Sequence, residues 1–189
     1  LFTTIGFRAT TTPILAQRAG IAEATIYRHF AGKEELLNVA YLEVQEWALA
    51  AVRDVQADRA PRAVERLHLI ARRLLQEAAR EPAAIRLLLQ RREQQYLDER
   101  SRESARAFRS ALEQVMASGK SDGVIRPGPV ELWTGVWLAV VAFAAAHVAA
   151  GDWHADHPQA ALALEACWSA IAARAFPGWR ATPAPATWR

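Results

Sequence analysis

The chain has 189 residues, 52% of them hydrophobic and 23% charged, with a single cysteine and a net charge of +3 from 23 Lys and Arg against 20 Asp and Glu. That composition suits one globular domain with at most a small appended module, and it excludes a disulfide scaffold, a disordered acidic chain and a collagen-like repeat. Alanine is abundant, β-branched residues are few and Gly and Pro cluster at a handful of places, so an all-α fold is expected; the slight basic excess leaves nucleic acid open as a partner.

In chain order, Thr10, Thr11 and Thr12 ahead of Pro13 predict an N-cap and a first-turn proline, opening a short helix to about Ala19. Gly20 breaks it, and a second short helix runs from about Glu23 to Phe30. After Gly32, Lys33 starts a long amphipathic helix with Leu36, Leu37, Ala40, Tyr41, Val44, Ala48, Ala51 and Val52 near helical spacing, ending near Arg59. Pro61 opens the next, striped by Leu67, Ile70, Leu74 and Ala78 and closed by Glu81-Pro82. A shorter apolar helix spans Pro82 to about Arg92. An Arg/Glu-laced helix follows from about Gln94 to Ser118, with Tyr96, Phe108, Leu112, Val115 and Met116 as its apolar side. Gly119 to Pro129 reads as a loop, Val130 as the start of an uncharged helix, and Pro158 to Arg174 as the last helix. The Pro-rich residues 176–189 form a tail, and nothing reads as a strand.

The uncharged stretch from Leu132 to Gly151 is long enough to cross a bilayer, at about 20 residues. It is nevertheless mostly alanine, broken by Thr134, Gly135 and His147, with no Lys or Arg cluster after it. A helix covered on nearly all sides is the favoured reading. The rival from another class is a tail-anchored helical module whose head binds a protein partner. The opening residues do not read as a signal segment, so a cytoplasmic location is expected.

The two short helices carry the functional signal. Ala16, Gly20 and Ile26 have the spacing of a helix-turn-helix: a small residue at the crossing, a Gly for positive φ at the turn and an apolar anchor on the second helix. Leu15, Ala19, Ile21 and Phe30 complete an expected miniature core. The outward residues of the second helix are then Glu23, Thr25, Arg28 and His29, with Tyr27 alongside, a mixture of phosphate-binding and base-reading types suited to the major groove.

Residues 1–37 closely resemble the DNA-binding head of the tetracycline-repressor (TetR) family, through Phe2 with Gly6-Phe7, Ala9-Thr10-Thr11, Leu15-Ala16, Ala19-Gly20-Ile21, Thr25-Ile26-Tyr27-Arg28-His29-Phe30 and Lys33-Glu34-Glu35-Leu36-Leu37. The resemblance implies a three-helix helix-turn-helix head over residues 1–45, with the chain opening inside its first helix and a commonly basic arm expected ahead of it. A helical ligand-binding and dimerisation domain over 46–175 would follow, then the tail. It places Thr12 and Lys33 at phosphate-binding positions, Thr25, Tyr27 and His29 where backbone and bases are touched, and Arg28 at a position that often reads sequence. The family's usual Ser cap and small Gly are here Ala22 and Ala24, and Glu23 turns an acid toward DNA, where it would accept from a cytosine amine or merely be solvated.

The implied function is a homodimeric transcriptional regulator, a repressor that releases a palindromic operator when a small apolar or aromatic ligand binds. The alternatives are a regulator of the same fold without an inducer, or an activator. Candidate ligand-contacting residues are His68, Arg72, Arg92, Tyr96, Phe108, Trp133 and Trp137. The resemblance pairs the last two helices with their mates in a four-helix bundle, and the absence of Lys and Arg between Pro127 and Ala173 suits a buried seam. Val140, Phe143, Ala144, His147, Leu164, Trp168 and Ile171 are the expected interface.

Other features read more plainly. Arg86, Arg91, Arg92, Arg100, Arg102, Arg106 and Arg109, interleaved with Glu93, Asp98, Glu99 and Glu103, are expected on a solvated face. Asp152, His154, Asp156 and His157 are expected in a turn with an Asp cap ahead of Pro158 rather than around a metal. Cys167 is assigned to the core. No nucleophile, base and orienter stand in a recognisable arrangement, so neither catalysis nor a cofactor is expected.

Overall fold

The computed structural model describes residues 1–57, 62–89 and 94–173. Among them are eight α-helices: α1 (Thr12–Ala19), α2 (Glu23–His29), α3 (Lys33–Ala57), α4 (Ala63–Arg80), α5 (Pro82–Leu89), α6 (Glu99–Ser121), α7 (Val130–Ala150) and α8 (Pro158–Ile171). The expected ends near Arg59 and Pro61, the candidate Arg92 and the tail 176–189 lie outside the described residues.

Apolar residues at helical spacing decide which face of each helix turns inward. On α4, Leu67, Ile70, Ala71, Leu74, Leu75 and Ala78 are buried; on α6, Phe108, Leu112, Val115 and Met116; on α8, Ala160, Leu164, Cys167 and Ile171. They join Val52 and Val55 of α3 and Trp137, Val141, Ala144, Ala145 and Val148 of α7 in one core. By length and composition α7 could cross a membrane, but here it packs against α4, α5, α6 and α8. Arg86, expected in solvent, donates to the Ala149 carbonyl at 2.7 Å and so satisfies an orphan acceptor at the end of α7.

Three segments depart from the sequence reading. Residues 94–96 form a single 3₁₀ turn, and α6 starts only at Glu99, where the Asp98 carboxylate accepts from the Ser101 N–H at 2.7 Å. That bond holds the Asp98 carboxyl below the usual carboxylate range. Gly119 is helical rather than loop. A Cβ there would fall 2.7 Å from both Ala63 Cβ and Ile125 Cδ1, so glycine is what lets α6 approach the start of α4. Thirdly, the cap ahead of Pro158 is His157, whose Nδ1 accepts from the Gln159 N–H at 3.2 Å, while Asp152 pairs with His147 at 2.9 Å. There is no strand among the described residues; one antiparallel bridge, Ile125 to Ala172, fastens the α6–α7 loop to the end of α8.

Candidate nucleic-acid interface and effector cavity

The α1–α2 corner rests on Ala16 and Ile26, both buried. Between them Gly20 adopts φ 69°, and its neighbour Ile21 donates back to the Ala16 carbonyl at 3.1 Å, ending α1. An L-residue in that backbone region costs roughly 1–2 kcal/mol. The miniature core is thinner than expected: Leu15 and Phe30 are half-buried, while Ala19 and Ile21 are exposed. On α2, Ala24, Tyr27, Arg28 and His29 are exposed, with Glu23 and Thr25 half-buried at its flanks. Among the described residues, the side chains of Tyr27 and Arg28 have no hydrogen-bond partner. As the sequence implied, Ala22 supplies no side-chain cap.

Two of the remaining head positions face inward. Thr12 is buried at the start of α1, and the N-cap of α1 is Thr11, without a side-chain cap bond. Lys33 donates from Nζ to the carbonyls of Phe7 and Thr10, each at 2.9 Å, and lies 4.3 Å above the Phe7 ring. This ammonium therefore clamps residues 7–10 to the start of α3, with one N–H left over.

A second small core fixes the head to the rest of the chain. Phe7 stacks on Tyr96 at 3.9 Å, and Phe2 on Phe7 at 5.8 Å. Arg8 Nε donates to the Tyr96 hydroxyl at 3.1 Å. Asn38, buried on α3, donates to the Tyr96 carbonyl at 3.0 Å and accepts from the Asp98 N–H at 2.8 Å. Tyr96 thus joins head and body, and it is not among the residues that line the cavity behind it.

Behind this joint a cavity of about 640 Å³ opens between α3, α5, α6 and α7. Leu88, Leu97, Phe108 and Leu138 give it apolar walls, and Gly135, Ala139 and Ala142 leave α7's side roomy. Tyr41 and Gln45 line it from α3. Burial pushes the Tyr41 phenol up, partly offset by a hydrogen bond from Gln45. Tyr41 and Leu97 also belong to the small core beneath the head, so cavity and head share two side chains.

Residues 1–40 match the profile of bacterial regulatory proteins of the tetR family, and residues 44–173 match that of the tetracyclin repressor-like C-terminal domain. The chain belongs to the TetR family. Among its relatives is the HTH-type transcriptional repressor KstR2 of Mycobacterium tuberculosis, 37% identical over 67 residues, which are 35% of this chain and 33% of that protein. The match thus spans about a third of the repressor's length. The fold is shared with a TetR family transcription regulator from Marinobacter aquaeolei VT8 (TM-score 0.74, 22% identity, 92% of this chain and 90% of that one). It is also shared with the KstR2 structure (TM-score 0.69, 24% identity, 90% and 89%).

Against this TetR-family architecture the expected ligand residues scatter. Phe108 lines the main cavity; His68 and Trp137 line a second, 520 Å³ groove between α4, α7 and α8. Arg72 is exposed and lines no described cavity. Trp133 packs under Arg126, 5.3 Å from its guanidinium. The interface candidates divide as well: Ala144, Leu164 and Ile171 are spent in the protomer's own core, whereas Phe143 is exposed and Val140, His147 and Trp168 are half-buried. Cys167 is a core residue as expected, its thiol donating to the Trp137 carbonyl at 3.5 Å and pushed up to about 12 by burial. Sequence reasoning missed Tyr41, Gln45, Arg102, Arg106 and Arg109 as cavity residues. For Gln45 a signal existed, since it is polar and one turn from Tyr41 on a helix whose neighbouring stripe is apolar.

Proposed function

We propose that this TetR-family regulator is a homodimeric repressor that grips a partly palindromic operator with two copies of α2 and releases it when a small ligand enters the α3–α5–α6–α7 cavity. The observation that carries the DNA-binding part is the open face of α2. Tyr27, at 55% exposure, is among the most solvent-exposed large apolar side chains described, and Arg28 beside it is unpaired. Ala24, Thr25, Tyr27, Arg28 and His29 would meet the major groove, with half-sites about one helical turn apart. Thr12, being covered, would act through the backbone amides at the start of α1, and Lys33 through its remaining N–H. Glu23 would either accept from a cytosine amine or merely be solvated.

The chain would divide into a head (1–45), a body (46–175) and a tail (176–189), although the first boundary falls inside the unbroken α3. That continuity supports a route for release. A ligand that presses on Tyr41 and Leu97 shifts both α3 and the Tyr96 joint, and release requires the ligand to bind the two states differently, by a few kcal/mol. Repression is the sign carried by the KstR2 relative, and the place of action is the cytoplasm.

The test is selection of operator from random duplex DNA with the purified chain. Enrichment of a palindrome is the expected result; no enrichment over the starting pool would overturn the reading. Repeating the selection with Arg28→Ala is expected to relax preference at one position of each half-site by about 1–3 kcal/mol. An unchanged base preference would remove Arg28 from base reading.

A further inference from the structure

The charged residues of the main cavity are all of one sign. Arg102, Arg106 and Arg109 line it from successive turns of α6, and no Asp or Glu does. The other described cavities either include carboxylates without a cation from Lys or Arg, as in the α4–α7–α8 groove with Glu65 and Glu165, or mix both signs. The arginines are only partly neutralised. Arg102 and Arg106 share Glu99, at 3.6 and 2.6 Å, and Arg109 reaches Glu113 at 3.9 Å, so three cations face two carboxylates that stand outside the cavity wall. A guanidinium has five N–H donors, and most of these remain available to a second anion.

A second observation points to an occupant. Gln45 is 2% exposed and lines the cavity, yet its Oε1 has no hydrogen-bond partner. A buried acceptor left unpaired is costly, and a ligand donor would satisfy it once the Gln45 amide turns into the cavity it lines. The remaining wall is aliphatic and aromatic, and a Cβ built on Gly135 would meet nothing within 4 Å, so the space beside α7 is open.

We propose that the effector is an amphipathic anion: an apolar body bearing a hydroxyl or amide donor that meets Gln45, and a carboxylate or phosphate group held by Arg102, Arg106 and Arg109. This rests on the ligand-responsive reading above and names the chemical class it would take.

The test uses the purified full chain and isothermal titration calorimetry. The probes are decanoate, hexadecanoate, 3-phenylpropanoate, 10-hydroxydecanoate and dodecyl phosphate, each beside its neutral methyl ester or alcohol and below its micelle concentration. At least one anion is expected to bind roughly tenfold or more tighter than its neutral counterpart. The R102Q/R106Q double variant should erase that preference while circular dichroism and melting temperature stay unchanged. Gly135→Leu, which suits a helix and fills the cavity, should abolish binding. 10-Hydroxydecanoate should bind more tightly than decanoate, an advantage lost in Gln45→Leu. Neutral compounds binding as well as the anions, an acid preference that survives the double variant, or no anion binding at all would each overturn the proposal.

Operator retention separates this proposal from the functional reading. Release by neutral compounds alone keeps ligand response and removes the anion. Binding of anions with the expected preference but with the operator retained keeps the anion and removes release.

Discussion

Replacing Lys33 with alanine is expected to lower stability by about 2–4 kcal/mol, because its half-buried ammonium is turned onto the head's own backbone. Two carbonyls, those of Phe7 and Thr10, lose a charged donor at 2.9 Å, and Thr10 is itself buried, so water replaces that donor poorly. The Phe7 ring also loses the cation 4.3 Å above it. Since Phe7 stacks on Tyr96, the head should loosen against the body as well as within itself. Operator binding should weaken alike on all sequences, and the slope of log K against log salt should flatten by about one, because a charge near phosphate is gone. Thermal denaturation reads the clamp and the salt slope reads the phosphate contact. A melting temperature matching the parent's would remove the clamp, and an unchanged slope would remove the phosphate.

The clamp formed by Lys33 is not legible in the sequence, where its position in a family-like run points only to phosphate. What was legible there is local. Gly20 between Ala16 and Ile26 specifies a turn and a crossing from residues close in sequence, and the structure has both. Positions whose meaning depends on a distant partner were read less well. Tyr96 falls in step with the apolar stripe of α6, and only its contacts with Phe7, Arg8 and Asn38 reveal that it belongs to a separate joint. In the sequence Gly119 has the look of loop punctuation; its reason in the structure is the approach of Ala63 and Ile125. The arginines of α6 pair with glutamates one and two turns away, which looks like an ordinary solvated face, and no spacing rule says that the same face borders a cavity.

The neutral head has a similar explanation. Residues 1–45 hold four basic residues, Arg8, Arg18, Arg28 and Lys33, against four acidic ones, Glu23, Glu34, Glu35 and Glu43. Two of the four cations are occupied within the protein: Arg8 by the Tyr96 hydroxyl and Lys33 by backbone carbonyls. Within residues 1–45, little positive charge is therefore left for phosphate beyond Arg18 and Arg28, so the proposed grip on DNA would draw there on shape and on the exposed groups of α1 and α2.

Phe143→Glu is expected to convert the proposed dimer to a monomer and to weaken the proposed operator binding by about 100-fold or more, because two linked heads gain from effective concentration what one head lacks. α7 is apolar on every side, so periodicity alone did not separate its inward face from its outward one. Burial separates them: Trp137, Val141, Ala144 and Val148 turn inward, while Leu132, Ala139, Phe143, Ala146 and Ala150 form an exposed stripe with no charge. Leu162 on α8, Phe143 and Leu132 are 61%, 55% and 50% exposed, which makes them, with Tyr27, the most exposed large apolar side chains described. Exposure of that kind across two packed helices is what an interface between copies would cover. In a two-fold pairing each substitution enters twice, so a carboxylate at 143 places two desolvated charges in the seam. The protomer itself should stay folded, since Phe143 contributes little to the core and touches mainly His147 and Trp153 at its edge. Because Phe143 packs edge-on against His147, with ring centroids 4.8 Å apart, Leu162→Arg on α8 gives a control independent of that contact. Light scattering should report half the parent mass for both variants with helicity retained. A dimer that survives both substitutions would place the seam elsewhere.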